Sequence, residues 1–213
     1  MFTKLWMQQD VTQIHIDTPT SEAQSIIDRH NFRHLPVTEG KKLVGIITQN
    51  DINKALPSPV DSSVSRQEQI IASHTKVGSF MTRNPITVGP MEPLENVASL
   101  FRTYKIGAIP VIEDESLIGI ITESDIFDAF IAIMEGERND IRIELQTRRA
   151  ENDVYKTVAL CQQFNVSLNS ISIYNNFSPE HQLVTIRVNG TQTEKLVDAL
   201  WDSGMKINQI TAM

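Results

Sequence analysis

The sequence predicts an α+β protein: two copies of a β-α-β-β-α unit packed as a pseudo-twofold pair, then a third unit of order βαββαβ. Three observations predict it. Residues 5–135 repeat themselves at a constant offset of 74, so that Pro36 matches Pro110 and Asp51 matches Asp125. Each copy alternates short apolar strands with helices of amphipathic spacing. Beyond the repeat, strand-like alternation and two helical stripes follow in a different order.

The register holds without a gap. It pairs Met7 with Met81, Pro19 with Pro93, Gly45 with Gly119, Thr48 with Thr122 and Ala55 with Ala129. Each copy opens with a short strand, Val11–Ile16 or Ile86–Val88. A proline-led helix follows, Pro19–His30 or Pro93–Tyr104, with Ala23, Ile26 and Ile27, or Val97, Leu100 and Phe101, at helical spacing. A strand comes next, Leu35–Thr38 or Ile109–Ile112, then the charged turns EGKK and EDES. The runs LVGII and LIGII read as buried strands, and a second helix closes each unit, Asp51–Leu56 or Asp125–Glu137. One copy leaves an apolar face uncovered, and a second copy covers it. LPSPVDSSVS between them reads as a loop, followed by a helical run at Arg66–Ser73. The expected domains are 1–60, 61–138 and 139–213.

In the last domain, Ile141–Leu145 reads as a strand. Asp153–Phe164 reads as a helix with Val154, Val158, Cys161 and Phe164 on one stripe. Leu168–Tyr174 and Leu183–Val188 read as strands, Thr193–Ser203 as a helix N-capped by Thr193 and stopped at Gly204, and Lys206–Thr211 as a final strand. The order is ferredoxin-like.

Composition narrows the function. Apolar residues make up 40% and charged residues 21%, which is ordinary globular usage. A net charge of −7 argues against nucleic acid and anionic membrane as partners. No apolar stretch is long enough to span a bilayer, and MFTKLWMQQD lacks a secretory apolar run, so a cytoplasmic protein is expected. The five histidines form no ligand pattern, and no metal is expected. The single cysteine, Cys161, sits on an apolar stripe and reads as core. Gly-rich phosphate loops and a GxSxG elbow are absent, and no catalytic residue is assigned. Arg138, Arg142, Arg148 and Arg149 cluster at the junction, as a solvated linker or as a contact surface for an acidic partner or a phosphate tail.

The repeated GIITQND and GIITESD carry the chemistry. Two readings stand side by side. Thr-x-x-Asp is a near capping box, with Thr48 or Thr122 as N-cap and Asp51 or Asp125 at the third helical position, worth about 1 kcal/mol per helix. The same geometry presents amides to a phosphate and a carboxylate to a vicinal diol.

MTRNPITV, its echo MQQDVTQI, the LPV and IPV strands and GIITxxD together resemble CBS domains, and the pair resembles a Bateman module. The C-terminal unit resembles an ACT domain, and the whole layout resembles the acetoin-utilisation AcuB family. The CBS resemblance implies an adenosyl ligand, AMP, ADP, ATP or S-adenosylmethionine, as a regulatory molecule, with no obligatory cofactor. Site one would use Thr48 and Asp51 with Thr82, Thr87, Gly107, Ala108 and Ile109 around the base, and is the expected adenosine site. Site two would use Thr122 and Asp125 with Gln8, Gln13, Arg33, His34 and Leu35, and is expected to hold polyphosphate or to be empty. Arg33 and His34 stand where site one has Gly and Ala, either as a solvated edge or as a phosphate clamp. The ACT resemblance implies a homodimer. Asp153 falls where ligand-binding relatives carry a glycine, which disfavours amino-acid binding. The expectation is a regulatory protein, not an enzyme, that signals ligand to a partner. The alternatives are a ligand-independent dimeric scaffold or an amino-acid sensor.

Overall fold

The computed structural model describes residues 1–57, 63–134, 140–151 and 153–212. Its chain forms two compact units, Met1–Ala129 and Phe130–Met213. The expected domain boundaries at 60/61 and 138/139 lie outside the described residues, as do Arg138 and the end of the expected helix to Glu137.

The first unit contains both copies. In copy one, β1 (Ile14–His15) precedes α1 (Thr20–His30), and β2 (His34–Glu39) and β3 (Lys42–Thr48) form a hairpin before α2 (Gln49–Ala55). After α3 (Arg66–His74), copy two adds β4 (Thr82–Arg83), α4 (Leu94–Tyr104), β5 (Ala108–Glu113), β6 (Ser116–Thr122) and α5 (Glu123–Met134). The order is the expected one, but the first strands are shorter. Only Ile14 and His15 pair with β2, in parallel, and the Ile86–Val88 strand shrinks to one bridge from Val88 to Val111. Among the described residues the rest of those segments joins no strand, although Ile16 N still donates to the Thr38 carbonyl at 3.1 Å.

Pro19 and Pro93 are the N-caps of α1 and α4, which end on left-handed Asn31 and Lys105, both at φ 53°. The β2–β3 turn uses Gly40 at φ 64°, whereas Asp114 and Glu115 both take positive φ in the β5–β6 turn, as a tight hairpin requires. Both hairpins carry a register shift at the matched sites Val37/Thr38 and Val111/Ile112. α2 and α5 begin at Gln49 and Glu123, two residues before the expected Asp51 and Asp125, because Thr48 caps the helix and Asp51 occupies its third position.

Each copy has its own apolar core. Ile27, Leu35, Val37, Ile47 and Ile52 fill the first, and Val97, Phe101, Ile109, Val111 and Ile121 the second. The segment preceding each copy crosses to the other. Val77 and Met81 enter the first core while Trp6 and Met7 pack on the second. β4 pairs with β3, and Gln8 bridges to Ile120 on β6. Gly45 and Gly119 make room for this: a Cβ at Gly119 would lie 2.6 Å from Met7 Sδ, and one at Gly45 would collide with Met81 Sδ. The exchange is reciprocal at the repeat offset, as a pseudo-twofold pair demands.

The second unit is built from β7 (Ile141–Arg148), α6 (Asp153–Gln163), β8 (Ser167–Tyr174), β9 (His181–Asn189), α7 (Thr193–Asp202) and β10 (Lys206–Ala212). Its antiparallel sheet has the order β10-β7-β9-β8, the βαββαβ arrangement expected. Ile143, Leu145, Val184, Ile186, Val188, Leu196 and Leu200 form its core. Two details differ from expectation. Val158 is 42% exposed, because α6 turns Thr157 inward instead, its hydroxyl satisfied by the Asp153 carbonyl at 2.9 Å. Thr193 does not cap α7: its hydroxyl donates back to the Gly190 carbonyl at 2.7 Å, and Gln192 is the N-cap. Gly204 ends α7 at φ 82°, as expected.

Candidate functional site

The two Thr-x-x-Asp runs place a carboxylate at the mouth of α2 and of α5. In copy one, Asp51 Oδ2 accepts from Thr48 N at 2.9 Å and from Thr48 Oγ1 at 2.7 Å, and Thr48 Oγ1 accepts from Asp51 N at 3.1 Å. This completes a capping box. Among the described residues nothing donates to Asp51 Oδ1, and the residue is half-buried. The box fixes the rotamer of Asp51, so the second oxygen is pre-aimed.

Copy two repeats the geometry. Asp125 Oδ2 accepts from Thr122 N and Thr122 Oγ1, both at 2.7 Å. Here the other oxygen is taken: Gln8 Nε2 donates to Asp125 Oδ1 at 3.1 Å, and Asp125 is only 7% exposed. A cleft of about 250 Å³ opens beside it, lined by Gln8, Arg33, His34 and Thr122 from the expected site two. Asp10, Thr12, Asn31 and Phe32 also line it. Of these, Asn31 had a sequence signal only as a helix end, since Asn there often takes the left-handed conformation that it has here, at φ 53°. Gln13 is exposed outside the lining, and Leu35 is fully buried in the copy-one core.

Around copy one, Thr82 lies on β4 opposite Ile46, two residues before Thr48. Thr87 precedes the Val88 bridge along β5. Ala108 and Ile109 are buried, so neither offers an exposed side chain. Gly107 meets the imidazole of His34: a Cβ at Gly107 would stand 3.0 Å from His34 Cε1. A residue expected at site two therefore packs on a residue expected at site one. Burial, foremost, and the Arg33 charge lower the His34 pKa, while the Asp51 and Glu123 carboxylates oppose them. His34 feels the helix mouths of both copies.

Elsewhere, the described residues hold no group of three His, Cys, Asp or Glu placed for a metal. Cys161 is 2% exposed, and burial pushes its thiol pKa up. Asp153 is buried. Burial alone would raise its pKa, but the Arg148 amide, the Lys156 hydrogen bond and the charges of Lys156 and Arg148 together hold it below the usual carboxylate range. Two of the arginines at the junction are paired: Arg142 with Glu144 at 2.9 Å and Arg148 with Glu151 at 2.6 Å. No described helix is long and apolar enough to cross a membrane.

Known proteins resemble this chain over its two copies. The family model for the CBS domain matches residues 3–58 and 77–132. A CBS domain-containing protein of Dictyostelium discoideum is 31% identical over 139 residues, covering 63% of this chain and 94% of that protein. The chain spans only 20% and 22% of two longer enzymes that it also matches. Among solved structures, the CBS domain pair of protein MJ0100, in complex with 5′-methylthioadenosine and S-adenosyl-L-methionine, superposes with a TM-score of 0.51 at 32% identity, covering 62% of this chain and 97% of that one. A Vibrio cholerae protein described as an acetoin utilization protein (AcuB) superposes with a TM-score of 0.53 at 26% identity, covering 63% and 93%.

Proposed function

The chain belongs to the CBS domain family, and on that premise we propose that it is a non-catalytic regulatory protein that senses an adenosyl ligand between its two copies. AMP, ADP, ATP or S-adenosylmethionine is the ligand class. The observation that carries the reading is Asp51: a carboxylate locked in place by its own helix cap, with one oxygen that accepts from nothing among the described residues. A ribose diol matches that oxygen, and charge-assisted bonds of this kind are worth about 1.5–3 kcal/mol each. The relative crystallised with 5′-methylthioadenosine and S-adenosyl-L-methionine supports the same chemistry.

The rest of the proposal concerns transmission. Domains 1–60 and 61–138 bind ligand, and 139–213, an ACT-like unit, joins two chains into a homodimer that passes the signal to a partner protein in the cytoplasm. Such a switch needs ligand to prefer one of two states. Asp153 is held by Arg148 and Lys156, which supports a dimerising rather than an amino-acid-binding role for this unit. A ligand-independent scaffold is the second reading, favoured because the capping boxes are complete without ligand.

A thermal-shift panel of the four adenosyl compounds separates the two. A ligand that binds only the native state at 100 times its Kd adds about 2.7 kcal/mol. A midpoint raised by several degrees is expected with at least one compound. No shift with any of them, at millimolar concentration, leaves the scaffold reading.

A further inference from the structure

Resting on the adenosyl reading, we propose that Gln8 is the specificity-determining residue that makes the two sites unequal, leaving cis-diol recognition to Asp51. An ionised carboxylate offers about four acceptor positions, two on each oxygen. In both copies, the threonine amide and hydroxyl fill the two on Oδ2. Among the described residues nothing occupies Asp51 Oδ1, which keeps two positions, one for each hydroxyl of a vicinal diol. Asp125 Oδ1 has already given one to Gln8 Nε2, at 3.1 Å, and can take a single hydroxyl.

The Gln8 amide is held in place by its backbone. Its N–H donates to the Ile120 carbonyl at 2.8 Å, and its own carbonyl accepts from Ile120 N at 3.0 Å. The segment that carries it is wedged over Gly119 by Met7. The matching residue in copy one, Thr82, pairs with Ile46 in the same way but makes no bond to Asp51 among the described residues. At the carboxylates this one side chain separates the two copies, beside the Arg33 and His34 that stand in the cleft where the other copy has Gly107 and Ala108. The cleft beside Asp125 still carries Arg33, Thr12 and Thr122. Its ligand class is a phosphate-bearing molecule that needs one sugar hydroxyl at most, such as a deoxynucleotide.

Calorimetry on the full chain with AMP and with 2′-deoxy-AMP tests this. Wild type is expected to show a strong and a weak AMP site. Removing the 2′-hydroxyl weakens the strong site about tenfold and leaves the weak one within twofold. Gln8→Thr, which copies Thr82 and keeps the backbone bonds, is expected to tighten the weak site about tenfold for AMP alone. Asp51→Asn in the Gln8→Thr background is expected to leave that tightened site as the stronger of the two. Two wild-type AMP sites of equal affinity, unchanged by Gln8→Thr, overturn the proposal and leave the adenosyl reading standing. No heat with AMP, ATP or S-adenosylmethionine from a folded wild type overturns both.

Discussion

A carboxylate that caps a helix is normally spent, yet Asp51 is only half spent. Oδ2 holds Thr48, while Oδ1 accepts from nothing among the described residues. Asp51→Asn keeps the shape and removes the charge. It is expected to weaken adenosyl binding about tenfold in calorimetry while lowering stability by less than about 1 kcal/mol. Unchanged affinity contradicts the assignment. His34 gives a second residue-scale expectation. Its folded pKa lies below the unfolded value of about 6.5. The unfolded chain then binds more protons, so the contribution of His34 is complete above about pH 6.5 and is lost as pH falls through the folded pKa. Melting midpoints from pH 7 down to 5 should fall more steeply in wild type than in His34→Gln, and parallel curves contradict the shift. Asp51 and His34 were both readable as site candidates. What the sequence did not reveal is that His34 packs on Gly107, because contact between two copies is set by the tertiary pairing and not by either repeat.

At the scale of elements, the repeat showed nearly every strand and helix of the first unit. The errors have local causes. Two-residue β1 is shorter than its apolar pattern, since pairing partners, not propensity, end a strand. α6 buries Thr157 in place of Val158, and the bond from its hydroxyl to the Asp153 carbonyl offsets the cost of taking it out of water. The exchange of leading segments had a legible half: Met7 and Met81 matched, as did Gly45 and Gly119. Which methionine meets which glycine is a long-range choice. It yields a prediction. Gly119→Val drives side-chain atoms into Met7 and toward the Gln8 carbonyl, 3.1 Å from the added Cβ. It should cost about 1–3 kcal/mol and red-shift the emission of Trp6, which packs on the same core. Gly89→Ala, with nothing within 4 Å of the new Cβ, should leave both unchanged. Equal effects of the two substitutions would sink the exchange argument.

Over the whole molecule, the chain forms two compact units, Met1–Ala129 and Phe130–Met213, and in the proposed function the first binds ligand and the second assembles chains. The ferredoxin-like order of the second unit was readable from strand alternation and two helical stripes, and its sheet order is that of two interleaved β-α-β crossovers. Its thiol reports its integrity. Cys161, buried and with a raised pKa, should react with a disulfide reagent at least a hundredfold more slowly in the folded chain than in denaturant, and equal rates would mean that the second core is not closed. Light scattering should give the mass of two chains. The most direct test of the central claim is a crystal structure of the chain grown with saturating AMP. We predict both ribose hydroxyls within about 3 Å of Asp51 Oδ1, with the capping box intact. A ribose bound elsewhere, or no nucleotide at Asp51, would contradict it.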